Sequence, residues 1–448
     1  MSLNIILLSG GSGKRLWPMS NDIRSKQFIK LFKNKKSSSA DEYESMLQRV
    51  YGQIKAVDAS ADICIATSKT QVSAIRNQLG EDVGISVEPS RRDTFPAIAL
   101  ASSYLYDKKN VSRYETIVVC PVDPYVDDTY FAALKELDEL ADKRTANIVL
   151  MGIEPTYPSE KYGYIIPETA DKVSGVGSFK EKPDKKIAEE YISKGALWNG
   201  GIFAFKLGYI IDKAHELIKF DDYDDLYSRY EDVEKISFDY AVVEKEKSLA
   251  VMRYSGMWKD LGTWNTLTEA MESDIIGNAA VSENSSGVHI LNELNIPILS
   301  MGLNDVVISA SPDGILVSDK DASSYIKPYV DRMDQPVMYA EKSWGSFRVI
   351  DVDNESMTIK VVLNPGHKMN YHSHERRDEI WVVIEGSGRT VVDGMEQQVK
   401  AGDVITMQAG CRHTVIAGSK LKLIEVQLGK DIDVRDKKKY RLEDEGIN

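Results

Sequence analysis

The sequence runs to 448 residues, of which 42% are hydrophobic and 28% charged, the balance of a globular chain long enough for two or three domains. A formal net charge of −13 excludes a broad electrostatic hold on nucleic acid or on an anionic membrane, though not a locally basic phosphate site. Three cysteines, Cys64, Cys120 and Cys411, are too few and too scattered for a disulfide framework or a cysteine metal site, and they point to a reducing compartment.

In chain order, the first predicted element is the apolar run 3–8, ended by Ser9-Gly10-Gly11, which reads as a short buried parallel strand. It is too short for a signal peptide, and no apolar stretch elsewhere reaches membrane-spanning length, so a cytoplasmic protein is expected. Runs at 63–66, 116–120 and 147–151 repeat the strand pattern, while 96–106 and 130–143 have helical character. Alternating strand and helix predicts a doubly wound α/β sheet through 1–270. Across 271–335 short β-like runs, such as 306–308 and 315–317, are broken by Asn, Ser, Gly and Asp, which predicts a small β-rich connecting domain. Across 336–448 the runs 357–363, 380–384, 390–392, 404–407 and 421–426 are separated by glycine turns. These predict an all-β barrel or jelly roll ending in a charged tail.

Two constellations carry chemistry. The first follows the first strand: Ser9-Gly10-Gly11-Ser12-Gly13-Lys14-Arg15. Glycines there let the backbone approach a phosphate and turn its N–H groups toward it. Arg15 adds forked donors and Lys26 is a second candidate cation. The loop fits neither the dinucleotide fingerprint nor the P-loop, and by itself a plain tight turn is the alternative. The second lies in the barrel. His372 and His374 alternate along a strand and so share a face, Glu379 follows, and His413 comes later. Three imidazoles and a carboxylate suit Zn, Mn, Fe, Co or Ni, the alternative being a metal-free structural barrel. His215 and His289 stand alone and are read as structural or surface residues.

The run Gly10 to Ser20, with Ser25-Lys26-Gln27-Phe28, resembles the signature of the mannose-1-phosphate guanylyltransferases, within the wider sugar nucleotidyltransferase family. Further segments keep the family order: Glu88 to Ala97, Pro121-Val122-Asp123-Pro124, Glu154 to Pro158, Tyr162 to Ile165, Phe179 to Pro183, Trp198 to Phe203, Ser237 to Ala241 and Trp258 to Trp264. Lys14 stands where the family has Thr, Ser25 where it has Pro, and Asp93 where it has Asn; a His expected after Asp123 is missing. The resemblance implies a Rossmann-like domain that transfers GMP from GTP to mannose 1-phosphate, giving GDP-mannose and pyrophosphate. It implies Mg²⁺ on Asp123 and Asp260, with Arg15 and Lys26 on the triphosphate. Gly10, Gly11, Gly13, Lys14, Arg92 and Asp93 would stand at the nucleotide. Lys182 would meet the sugar phosphate, and Gly163, Glu181 and Asn199 would line the sugar pocket. Other readings keep the fold with a different sugar phosphate or nucleotide, or make the chain a non-catalytic sugar-nucleotide sensor. The acidic clusters at Asp127-Asp128 and Asp221 to Asp225 are read as solvated charges.

The barrel motif, from Gly366 through His372, His374, Glu379 and Gly386 to Gly402, Gln408 and His413, resembles the two-part cupin signature. From Lys342-Ser343-Trp344 to Ile424-Glu425-Val426-Gln427 it is similar to the mannose-6-phosphate isomerase domain of bifunctional bacterial relatives. Departures are His372 for Gln, Ile380 for His, Gln408 for Pro, Ala417 for Asn, and a shortened stretch at 430–435. An isomerase and a degenerate barrel serving oligomerisation are both left open. All transferase motifs end near Trp264, so the transferase is expected to work independently of the barrel. The expected partners are GTP and mannose 1-phosphate, with no nucleic acid and no membrane, and a homo-oligomer as one reading.

Overall fold

The structure is a computed structural model and describes residues 2–11, 14–21, 23–34, 42–333, 336–430, 432 and 436–445. The chain divides into two compact units, one of Met1–Ser12, Lys26–Val72 and Asp82–Glu272, the other of Gly13–Ser25, Ser73–Glu81 and Ser273–Asn448.

The first unit is α/β. Its strands are β1 (Asn4–Ser9), β2 (Asp62–Ser68), β3 (Gly84–Glu88), β4 (Thr116–Pro121), β5 (Pro124–Val126), β6 (Ile148–Ile153), β7 (Gly163–Pro167), β8 (Val173–Lys180), β9 (Leu197–Lys206), β10 (Leu249–Tyr254) and β11 (Trp258–Asp260); helix α1 is Thr94–Ser103, α2 Asp128–Asp142 and α3 Leu207–Ile218. Nine strands form one sheet in the order β3-β2-β1-β4-β9-β6-β10-β8-β7. Ile5, Ile6 and Leu7 of β1 are all fully buried, as an apolar run covered on both faces should be. Helix α2 buries Tyr130, Phe131, Leu134, Leu137 and Ala141, the spacing of a single core-facing stripe. Helix α1 is buried on every side from Phe95 to Ser103.

The doubly wound expectation holds in the half where β3, β2, β1 and β4 run parallel. Beyond β4 the sheet is mixed, because β9 runs antiparallel to β4, β6 and β7. Strands joined by a short connection, as β7 and β8 are through residues 168–172, can only pair antiparallel, since a parallel return needs a long crossover. Outside this sheet β5 and β11 form a two-stranded antiparallel ribbon with Asp260 opposite Pro124.

In the second unit β12 (His289–Asn292), β13 (Val306–Ser311) and β14 (Gly314–Asp319) form a small sheet in which β12 and β13 are parallel and β13 and β14 make a hairpin. The β-like runs at 306–308 and 315–317 thus fall on strands. The barrel contains β15 (Ser356–Leu363), β16 (His372–Ser373), β17 (Asp378–Glu385), β18 (Val404–Met407), β19 (His413–Ala417) and β20 (Leu421–Leu428), built into sheets of six and five strands. Leu363, Trp381, Met407, Val415, Leu421 and Leu423 form its apolar core. Along β20 every second residue is buried: Leu421, Leu423, Glu425, Gln427. The inward face therefore changes from apolar to polar along one strand. No helix among the described residues is long and apolar enough to cross a membrane.

Candidate active site and metal centre

The glycine turn begins where β1 ends. Gly11 has φ +100° with open space around its missing Cβ, so the backbone angle and not crowding calls for glycine. A buried amide network holds the turn: Thr67 Oγ1 donates to Gln71 Oε1 (2.8 Å) and Gln27 Nε2 to Ser9 Oγ (3.1 Å). The Gly11 carbonyl accepts from Gln71 Nε2 at 3.3 Å and Arg91 Nη2 at 3.4 Å. Gly13 lies outside the described residues. Lys14 and Arg15 fall in the second unit, where Lys14 Nζ sits 3.1 Å from Asp331 Oδ1 and Arg15 is exposed.

Asp123 stands between β4 and β5, and Asp260 ends β11. The ribbon register brings the two carboxylates together although 137 positions separate them (260 − 123). Lys26 completes the group, with Nζ 2.7 Å from Asp123 Oδ2 and 3.5 Å from Asp260 Oδ1. Burial pulls the Lys26 pKa down, but the two carboxylates more than offset this and leave it raised. Lys26 is thus a fixed cation.

The pair opens into a cleft of about 210 Å³ lined by Tyr162, Asn199, Trp258, Asp239 and Thr94. A neighbouring cleft of about 500 Å³ shares Thr94 and Asp239 and adds Glu181, Lys182, Asp93 and Tyr240. Lys182 Nζ is 2.7 Å from Glu181 Oε1. Glu181 Oε2 is buried without a hydrogen bond, and a Cβ on Gly163 would collide with it. Asn199, opposite Gly163 in the β9–β7 pairing, donates from Nδ2 to Asp239 Oδ1 at 2.6 Å. Burial, with the Glu181 charge nearby, pushes Asp239 up to about 6 against the Asn199 hydrogen bond. Gly163, Glu181, Lys182 and Asn199 are therefore one cluster. Asp239 was not singled out from sequence; its only signal was its place inside the Ser237 to Ala241 segment.

Asp93 caps α1, its Oδ1 accepting from Thr94 N at 2.8 Å, with φ 71°. Arg92 donates to the Glu231 carbonyl, so of the two adjacent arginines Arg91 is the one that reaches the glycine turn.

In the barrel, His372 faces His413 directly across β16 and β19. His372, His374, Glu379 and His413 are all buried, with one ligand atom each lying within 4.8 Å of the others. Each imidazole turns Nδ1 to a backbone carbonyl: His372 to Asn370 (2.6 Å), His374 to Asp436, and His413 to Cys411 (3.0 Å). An Nδ1–H donated there leaves Nε2 as the free lone pair, the outer-shell arrangement of metal-binding histidines. Burial, with Lys437 nearby, pushes the His372 pKa down to about 2, so that imidazole stays neutral as a ligand requires. These residues fit a divalent transition metal. One neighbour was invisible in the sequence. Buried Arg377 points Nη2 at His374 Nε2 (3.0 Å) and Nε at Glu379 Oε1 (3.2 Å). A lone pair cannot serve both a guanidinium and a metal, so Arg377 would have to turn aside on loading. His215 bonds the Phe220 carbonyl and stacks on its ring, and His289 lies 3.3 Å from Asp274, both in structural roles.

Residues 4–275 match the family described as nucleotidyl transferase. The chain belongs to the nucleotidyl transferase family. Residues 359–427 match the cupin domain family. This nucleotidyl transferase is 30% identical to the xanthan biosynthesis protein XanB of Xanthomonas campestris pv. campestris (strain B100), over 97% of this chain and 98% of the relative. It is 26% identical to a mannose-1-phosphate guanylyltransferase of Salmonella montevideo, over 97% and 98% of the two chains. Among solved structures it is similar to a mannose-1-phosphate geranyltransferase from Thermus thermophilus, with a TM-score of 0.62 and 26% identity over 74% of this chain and 98% of that one.

Proposed function

We propose that this nucleotidyl transferase moves GMP from GTP to mannose 1-phosphate, releasing pyrophosphate and supplying GDP-mannose for polysaccharide or nucleotide-sugar synthesis. The observation that carries the reading is the Asp123–Lys26–Asp260 group, whose two carboxylates line a cleft with Asn199 and Asp239 that shares Thr94 and Asp239 with the neighbouring cleft of Glu181 and Lys182. A sugar-phosphate oxygen attacks the α-phosphorus and pyrophosphate leaves. Such chemistry asks the protein for in-line positioning and for neutralisation of crowded negative charge. Lys26 keeps its charge at working pH and stands ready for the triphosphate, while Lys182 meets the sugar phosphate. Glu181, Asn199 and Asp239 present acceptors and an amide to sugar hydroxyls, and Gly163 leaves the room Glu181 needs.

Asp123 and Asp260 are the hard oxygen donors that Mg²⁺ takes, with waters and phosphate oxygens completing its shell. When bound, Mg²⁺ supplies further charge neutralisation on the phosphates. Gly10, Gly11, Gly13, Lys14, Arg15, Arg92 and Asp93 serve the nucleotide in this reading. The chain is read as three parts, 1–270, 271–335 and 336–448, working in the cytoplasm on small-molecule substrates, with neither nucleic acid nor membrane as partner. His372, His374, Glu379 and His413 bind one transition metal.

Pyrophosphate release across a panel of nucleoside triphosphates and sugar 1-phosphates tests the reading. GTP with mannose 1-phosphate should give the highest kcat/KM. A better pair replaces the proposed substrates, and binding without release makes the chain a sensor. Interconversion of mannose 6-phosphate and fructose 6-phosphate, assayed alongside, decides whether the barrel is a second active site.

A further inference from the structure

The segment that joins the glycine turn to Lys26 does not belong to the unit that holds them: Gly13–Ser25 is part of the second unit, whereas Ser12 and Lys26 are in the first. Within the second unit this segment is anchored at four places. Arg24, only 6% exposed, grips Glu293 with two prongs, Nη1 to Oε2 at 2.8 Å and Nη2 to Oε1 at 2.7 Å. Its guanidinium also lies 5.0 Å from the centre of the Tyr339 ring. Asn21 Nδ2 donates to Asp313 Oδ2 (2.8 Å), while its Oδ1 accepts from the Ile23 and Arg24 N–H groups (2.9 and 2.6 Å). Ser311 Oγ donates to the Pro18 carbonyl at 2.7 Å. A side chain at Gly314 would run into the Trp17 ring. Glu293 directly follows β12, and 311–314 is the turn from β13 to β14. Since β12 and β13 are parallel, one edge of the connecting sheet carries all four anchors.

We propose that Arg24 and Glu293 are a positioning pair for nucleotidyl transfer, fixing the tether between the glycine turn and Lys26 and so the geometry in which a triphosphate is held. The inference rests on the preceding reading of Lys26 as a triphosphate cation. Ser25, fully buried, alone separates Arg24 from Lys26, so a shift of the Arg24 backbone passes to Lys26 with little slack. A two-pronged guanidinium–carboxylate pair fixes orientation as well as distance. If stability were the only demand, apolar side chains of the same size would meet it as well or better.

The test is the double variant Arg24→Met/Glu293→Met, which removes both partners of the pair while buried Asp313 keeps its hydrogen bonds from Asn21 and the Met338 N–H. KM for the nucleoside triphosphate should rise about tenfold or more, because small misplacements of positioning groups are costly. KM for the sugar phosphate should stay within about twofold of wild type. The reversed pair Arg24→Glu/Glu293→Arg should recover part of the loss, and Arg24→Glu alone should not. An unchanged triphosphate KM in the folded Met pair, or an equal rise in both KM values, overturns the proposal. Should the Met pair fail to fold, Arg24→Lys keeps the charge and loses the fork, and the same split is required of it. The readout is a ratio between two substrates, so a wild type that prefers another nucleotide or sugar corrects the function and leaves this test standing. If wild type turns over no pair at all, calorimetric titration with GTP and ATP replaces KM, and equal Kd values in wild type and variant overturn the proposal.

Discussion

The chain solves the problem of concentrating charge in two opposite ways. In the cleft of the first unit the Asp123 and Asp260 side chains are 37% and 36% exposed, with Lys26 at 18%. In the barrel His374, Glu379 and His413 are each 2% exposed. The first arrangement suits ligands that bring their own charge and leave again, because partly hydrated groups lose little when the site empties. The second suits a resident ion. Buried imidazoles with their Nδ1 atoms on backbone carbonyls are held in place, and Arg377 supplies the cation beside the buried Glu379.

The sharpest way to break this contrast is to remove one charge from the open site. Asp123→Asn or Asp260→Asn should lower turnover by about 10²-fold or more, as loss of a preorganised charge at phosphoryl transfer does. Pyrophosphate release at saturating Mg²⁺ measures it, and near-normal turnover in both variants would end the assignment. In the closed site, His372→Ala with His374→Ala should abolish bound metal while pyrophosphate release falls by less than about threefold. Metal analysis of both purified proteins checks the first half; equal metal content refutes the ligand set, and loss of transfer in a folded variant shows that the barrel and the transferase are coupled.

Lys182→Ala should raise the KM for the sugar phosphate about tenfold, a charge-assisted contact being worth roughly that much, with a smaller effect on the nucleotide. An effect confined to the nucleotide would place Lys182 on the wrong substrate. The smallest effect concerns Asp239, whose carboxyl is raised from 3.8 to about 6. A raised carboxyl contributes stability that is complete below pH 4 and is lost as pH rises through 6. Asn cannot titrate, so the Tm of Asp239→Asn relative to wild type should climb between pH 4 and 7, by a few degrees at most. A pH-independent difference would show that Asp239 is ionised throughout.

Local pattern made the parallel half of the sheet, the connecting strands and the barrel legible, because runs such as 3–8 and 116–120 are apolar on both faces. The antiparallel half was harder. Strands β7 to β9 carry Gly163, Gly175, Gly177, Gly200 and Gly201, which weaken any periodic signal, and they surfaced only as motif segments. Among site residues the histidine motif was readable because His372 and His374 alternate, Glu379 follows closely and His413 returns a further imidazole on a later β run. Asp239 and Arg377 escaped, since their roles come from contacts with Asn199 and His374 that no spacing rule announces. Lys14 and Arg15 were expected at the triphosphate; the Asp331 contact of Lys14 spans 317 positions and leaves no trace in the local sequence. Gly13 and much of the shortened 430–435 stretch lie outside the described residues.

The pairing of β5 with β11 also sets a timetable. A ribosome delivers Asp123 long before Asp260, and the ribbon that unites them cannot close until the later strand has emerged. Strand β9 must likewise arrive before β4, β6 and β7 find their shared neighbour. The tether that ends at Lys26 waits longer still, for Glu293 and the turn at 311–314. The tether is thus made well before the residues that secure it, and a chain released before residue 260 would lack the carboxylate pair altogether.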